Sequence, residues 1–175
     1  GGGLYANYDA SIFRNQFDGH ISVGNYPSIV FALEQIDFDI IGVNVRGGYI
    51  SGGYAGNSTP TMGENGHGIL LNQCKNVRVL NCNISNTCGD CIFVNSGGIY
   101  SSNYVSPENI VVSNCNLINP LRGCVTTTHV DGLTVVNNNM LKANGYANAT
   151  VLIEPNSNRM QTARNILVFG NRVES

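Results

Sequence analysis

The chain has 175 residues, enough for one domain with a substantial core and no ground for a second, so residues 1–175 are taken as one unit. Charged residues are 11% of the total, against roughly 25% in an average globular protein, and the net charge is −2. No basic stripe exists to track phosphates, which argues against nucleic-acid binding. No apolar run approaches the ~18 residues of a membrane-spanning helix.

Six phrases in chain order share the pattern polar, apolar, any, apolar, then a polar pair before a last apolar residue. They are DASIFRNQF (9–17), DFDIIGVNV (37–45), NVRVLNCNI (76–84), NIVVSNCNL (109–117), GLTVVNNNM (132–140) and NILVFGNRV (165–173). Their starts are separated by 28, 39, 33, 23 and 33 residues. Alternation within each phrase is the signature of a strand with one buried face. The unequal intervals describe a coil of constant size with loops inserted at its corners, and such units stack into a solenoid. Asn15, Asn138 and Asn171 share the seventh position with Cys82 and Cys115. Stacked turn asparagines there are expected to bond to the backbone and to one another, with cysteine as a small buried substitute.

A second column of strands lies between the phrases, at 68–72, 91–95, 124–128 and 150–154, with 28–32 as an earlier member. Residues 27–35 are the one stretch that suits a helical turn. Loops occupy 47–65, which carries Tyr49 and Tyr54, and 97–108, which carries Tyr100 and Tyr104. The chain opens on three glycines and closes on a strand-like phrase, and it reads as a piece of a longer protein.

Six cysteines, at 74, 82, 88, 91, 115 and 124, follow these columns, since Cys82-to-Cys91 and Cys115-to-Cys124 are both nine residues. In-register side chains run parallel, a poor start for disulfide geometry, so free buried thiols are expected rather than disulfides or zinc.

The repeat also defines a candidate site. Gly66-His67-Gly68 returns as Gly89-Asp90-Cys91, and adjacent strands lie roughly 4.8 Å apart, so His67 and Asp90 should face each other. Arg122 falls one coil further on, and Glu64 lies three residues before His67. Asn72, Asn95, Thr128 and Glu154 form a row at the far end of the strands. A carboxyl beside a histidine suits acid–base work on a glycan. Asp90 would be acid or base, His67 its partner and Glu64 a second carboxylate. Alternatively His67 abstracts a proton beside a uronate carboxylate while Arg122 binds the developing charge. Tyr54, Tyr100 and Tyr104 offer faces for sugar rings, and Asn95 a polar contact. The competing structural reading makes His67 and Asp90 turn residues, Glu154 a solvated carboxylate, and His129 and Asp131 brackets of a turn. No metal or cofactor is implied.

The segment NVRVLNCNISNTCGDCIFVNSGG resembles the repeats of the pectate-lyase-like superfamily, which includes polygalacturonases, pectate lyases and bacteriophage tailspikes. That resemblance implies a single-stranded right-handed parallel β-helix of about six coils. Polygalacturonase motifs are only partly kept, because Asn86-Thr87 is followed by Cys88 and the Gly-His-Gly lies before Asp90 rather than after it. Only Asp90 matches a catalytic position. The Gly-Asp-x-Ile phrase after an Asn-rich strand is closer to the tailspikes. The resemblance therefore implies a homotrimer that binds and cleaves a bacterial surface polysaccharide as a glycoside hydrolase or polysaccharide lyase. It would sit among other virion tail proteins, assembled in the host cytoplasm. A non-catalytic receptor-binding β-helix and a secreted pectinase-like enzyme stand as the alternatives.

Overall fold

The structure, a computed structural model, describes residues 4–5, 16–18, 30–33, 36–46, 67–87, 89–96, 106–142, 149–155 and 161–174. Their strands form three sheets, and every pairing is parallel. Sheet 1 holds β1 (Leu4–Tyr5), β3 (Val30–Leu33), β6 (Ile69–Asn72), β9 (Ile92–Asn95), β12 (Val125–Thr127) and β15 (Val151–Ile153). Sheet 2 holds β4 (Ile36–Ile41), β7 (Lys75–Leu80), β10 (Glu108–Ser113), β13 (Val130–Val136) and β16 (Ala163–Phe169). Sheet 3 holds β2 (Gln16–Asp18), β5 (Asn44–Arg46), β8 (Asn83–Ser85), β11 (Asn116–Ile118), β14 (Asn139–Leu141) and β17 (Arg172–Glu174). From β3 onward each strand pairs with the one three places later, so the chain visits the three sheets in turn and stacks each circuit on the last. This is a parallel β-helix, as the repeat predicts.

One face of the strands from β4 to β14 supplies the core. Ile69, Leu71, Ile92, Val94 and Val125 of sheet 1 are fully buried with Val77, Val79, Ile110, Val112, Leu133 and Val135 of sheet 2. Ile84, Leu117 and Met140 complete the interior from sheet 3. Burying each such side chain stabilises the fold by about 1.5–3 kcal/mol relative to leaving it exposed. The last circuit carries the same apolar pattern, but Leu167, Val168, Phe169 and Val173 are about half exposed.

The asparagines explain how so short a strand can turn a corner. Asp37, Asn76, Asn109 and Asn165 begin four of the phrases, with positive φ between 53° and 58°, and Gly132 begins the one between the last two at φ +87°. Asn81, Asn114 and Asn137 repeat this at the corner from sheet 2 to sheet 3. Among L residues, Asn and Asp tolerate the left-handed region best. Their side chains also join one circuit to the next. Asn76 Nδ2 donates to Asp37 Oδ1 at 2.7 Å and Asn109 Nδ2 to Asn76 Oδ1 at 3.0 Å.

The seventh-position ladder forms as expected from Cys82 to Asn171, with one refinement, and Asn15 lies outside the described residues. Cys115 N–H donates to Asn138 Oδ1 and Asn138 N–H to Asn171 Oδ1, both at 2.9 Å. Cys82 N–H donates to Cys115 Sγ at 3.4 Å, while that thiol faces Val79 O at 3.6 Å. Asn138 Nδ2 meets Val112 O in the equivalent way at 3.0 Å. Cysteine here is a weak hydrogen-bonding stand-in for asparagine as well as a small core residue. Cys74, Cys82, Cys91, Cys115 and Cys124 are all buried free thiols, and Cys88 lies outside the described residues.

Two expectations need correction. Residues 30–33 are strand β3, not a helical turn, since pairing with β6 overrides local propensity. The earlier column member is also displaced by one residue: Val30 pairs with Ile69 and Ala32 with Leu71. A one-residue slip would exchange the two faces of the strand. The observed register puts Ala32 beside Leu71 in the core, both fully buried.

Candidate functional site

On sheet 1 the residues alternating with the core positions are the register partners Leu70, Phe93, Thr126 and Leu152. Upstream of these strands, Gly68 N–H donates to Asp90 O and Cys91 N–H to Gly123 O. The ladder continues past the strand ends and sets His67, Asp90 and Gly123 on consecutive circuits.

His67 Nδ1 lies 3.1 Å from Asp90 Oδ2 and 3.1 Å from the Asp90 amide nitrogen. One nitrogen cannot serve both. If Nδ1 carries no proton it accepts from the amide, and Asp90 Oδ2 is left buried without a hydrogen-bond partner. If Nδ1 carries the proton, it donates to the carboxylate. The geometry is that of the amide bond: Asp90 N–H is directed at Nδ1, Asp90 Oδ2 is buried without a hydrogen-bond partner, and the neutral ring then carries its proton on Nε2. The imidazole also stacks on Phe93, with ring centroids 4.4 Å apart.

Asp90 has no exposed surface. Its Oδ1 accepts from Gly123 N–H at 2.7 Å and from the Thr126 hydroxyl at 2.5 Å. Burial, the largest single influence, pushes its carboxyl up. The His67 ring, the Thr126 hydroxyl and the Gly123 amide together outweigh burial, so the group ends below its ordinary value and stays ionised.

Arg122 stands over this pair, with Nε 3.7 Å from Asp90 Oδ2 and Nη2 donating to Glu154 Oε2 at 2.9 Å. Its carbonyl accepts from Lys142 Nζ. Burial lowers the Lys142 pKa. Side-chain exposure is 3% for His67, 0% for Asp90, 20% for Arg122 and 43% for Glu154. The cluster therefore opens towards its Glu154 end.

The structure brings together His67, Asp90 and Arg122, as the spacing of the repeat predicts. Glu154 is only partly the solvated carboxylate expected, because Arg122 holds it. Asn95 accepts from Thr128 Oγ1 at 2.8 Å and from Ser96 N–H at 2.8 Å, which fixes its amide. Glu64, Tyr54, Tyr100 and Tyr104 lie outside the described residues. His129 is no simple turn residue. It is buried, accepts from Thr162 N–H at 2.7 Å and lies 2.9 Å from Ser106 Oγ through Nε2. With Nδ1 accepting, Nε2 must donate, so His129 cannot act as a base towards Ser106. Sequence reasoning missed Thr126 and Lys142. A polar residue at an outward strand position beside Leu70 and Phe93 was the available signal for Thr126. Lys142 gave none beyond the rarity of lysine.

Among solved structures, the chain is similar to a candidate glycosyl hydrolase from Parabacteroides merdae ATCC 43184, with 14% identity and a TM-score of 0.52. The match covers 86% of this chain and 64% of that one, so the chain spans less than two thirds of its neighbour's length. At that identity the likeness supports the fold alone. No family model and no curated protein matches the sequence.

Proposed function

We propose that the protein binds and cleaves an acidic polysaccharide on the outer side of sheet 1, with His67 as base, Asp90 as its anchor and Arg122 as the carboxylate-binding cation. The observation that carries this reading is the convergence of His67, Asp90, Arg122 and Glu154 from four consecutive circuits. Within it, Asp90 is sealed and ionised, so it cannot hand a proton to a glycosidic oxygen. For base action the ring takes the other tautomer, with the Nδ1 proton turned to Asp90 Oδ2, 3.1 Å away, which leaves Nε2 to take the proton from the carbon beside a uronate carboxylate. Arg122 then offsets the charge gathering on that carboxylate. The electron pair forms a carbon–carbon double bond as the bond to the glycosidic oxygen breaks, and the departing oxygen takes a proton from water. The finer reading rests on the sequence resemblance: a bacterial surface polysaccharide as substrate and a homotrimeric phage tailspike as the context. Buried free thiols agree with assembly in a reducing cytoplasm.

The test incubates the protein with a panel of bacterial acidic polysaccharides and follows the ultraviolet absorbance of the unsaturated sugar. His67→Ala and Asp90→Asn are expected to lose at least ~100-fold in rate, and a wild-type rate in either would sink the site assignment. Chain shortening without the unsaturated product would mean hydrolysis, with Glu154 the exposed carboxylate. Binding without cleavage would favour the second reading, a receptor-binding β-helix, which the complete burial of Asp90 supports.

A further inference from the structure

We infer that Glu154 is a specificity-determining residue: its carboxylate occupies the place at Arg122 that an acidic sugar takes, so binding exchanges one carboxylate for another. The inference rests on the carboxylate-binding role proposed for Arg122, and its test needs no cleavage.

Arg122 is the fixed member of the pair. Its N–H donates to Gly89 O at 3.2 Å and its carbonyl accepts from Lys142 Nζ, so its backbone is tied to the circuits on both sides. The side chain is 20% exposed, and Nε is buried without a hydrogen-bond partner. The bond from Nη2 to Glu154 Oε2, at 2.9 Å, is the only hydrogen bond the guanidinium makes among the described residues. Glu154 is 43% exposed, so the carboxylate is the member able to turn away into solvent. Once it does, the planar fork of the guanidinium is open to a ligand.

An ion pair this exposed adds little to stability, so the fold does not depend on it. Its effect falls on what can bind. A hydrogen bond between charged groups is roughly twice as strong as one between neutral groups. A sugar hydroxyl therefore cannot displace Glu154 from Arg122, whereas a uronate carboxylate replaces it like for like. Glu154 screens the cation against neutral glycans and makes every acidic ligand compete for it.

The experiment titrates galacturonate and glucuronate, with galactose and glucose as neutral controls, into wild type, Glu154→Gln, Glu154→Ala and the double variant R122Q/E154Q. Calorimetry reads affinity, and the 15N–1H signal of Arg122 Nε reads contact at the cation. E154Q and E154A are expected to bind the uronates about three- to tenfold more tightly than wild type, because the competing carboxylate and its repulsion of the ligand are both gone. The neutral sugars should leave the Arg122 signal of wild type unmoved, and the double variant should lose the gain. Equal or weaker uronate binding in E154Q and E154A would overturn the inference and make Glu154 a support for Arg122, with the role of Arg122 itself intact. A gain that persists in the double variant would overturn it too. If the uronates bind none of the proteins, the inference and the Arg122 site fail together. If E154Q and E154A bind more tightly but no glycan is cleaved, the enzymatic reading fails and the exchange at Arg122 stands.

Discussion

Asn138 shows how one side chain can serve two circuits at once. It is 2% exposed, accepts from Cys115 N–H and donates to both Val112 O and Asn171 Oδ1. Asn138→Ala leaves a buried amide and carbonyl unpaired, and each orphan costs about 1–3 kcal/mol. A loss of about 2–4 kcal/mol in chemical denaturation is the expected result. Asn83→Ala, an exposed link of the outer ladder, should stay within about 0.5 kcal/mol. Equal effects at the two sites would show that the inner ladder has no special weight. At Gly132 the backbone has φ +87° and an added Cβ would lie 3.2 Å from Asn109 Oδ1. Gly132→Ala is expected to cost about 1–3 kcal/mol, most of it backbone strain, and an unchanged midpoint would contradict that.

At the scale of elements, the corner between β12 and β13 carries the pH sensitivity. Burial and the Arg164 cation lower the pKa of His129, and Asp131 acts in the opposite direction. A His with a depressed folded pKa favours the native state when neutral. Its contribution is intact above the unfolded value of about 6.5 and is lost as pH falls below that. Protonation would also turn Nδ1 into a donor facing Thr162 N–H. The lowered Asp90 carboxyl behaves differently, because its contribution is present above about pH 3.9 and fades only below it. Stability should therefore fall in two stages, and His129→Gln should remove the stage that begins as pH drops below roughly 6.5. A first stage undiminished in that variant would place the titration elsewhere. The same corners show what the sequence revealed and what it concealed. Strand columns, corner asparagines and the His67–Asp90–Arg122 row follow from residue spacing, because register in a parallel stack converts sequence intervals into neighbours. The β3 register was legible but missed: the 39-residue offset between the phrases starting at 37 and 76, applied to Ile69, gives Val30, as observed. The burial of Asp90 was not legible, since it depends on Arg122 and Thr126 closing around it and not on any periodic signal.

For the whole molecule, thiol chemistry gives a check on packing. Cys74, Cys82, Cys91 and Cys124 are 0% exposed and Cys115 is 1% exposed, and burial pushes the Cys91 thiol up. Reaction requires a thiolate and access. A thiol reagent should leave these five unmodified in the native protein and label them in denaturant without prior reduction, as read by peptide mass spectrometry. Labelling of Cys82 or Cys115 under native conditions would show that the interior ladder opens.

The four groups of the site come from four successive circuits, one from each, and that has a kinetic consequence. A stack joined only to its nearest neighbours melts as a boundary that advances from a free end, like a zipper, and not everywhere at once. Glu154 rides on the outermost described circuit, the one that carries the half-exposed Val168 and Phe169. A boundary moving in from that side would detach Glu154 first, then free Arg122, and reach Asp90 and His67 last. Melting that enters from the Glu154 side would therefore release the charged rim of the site while the imidazole and its carboxylate remain together.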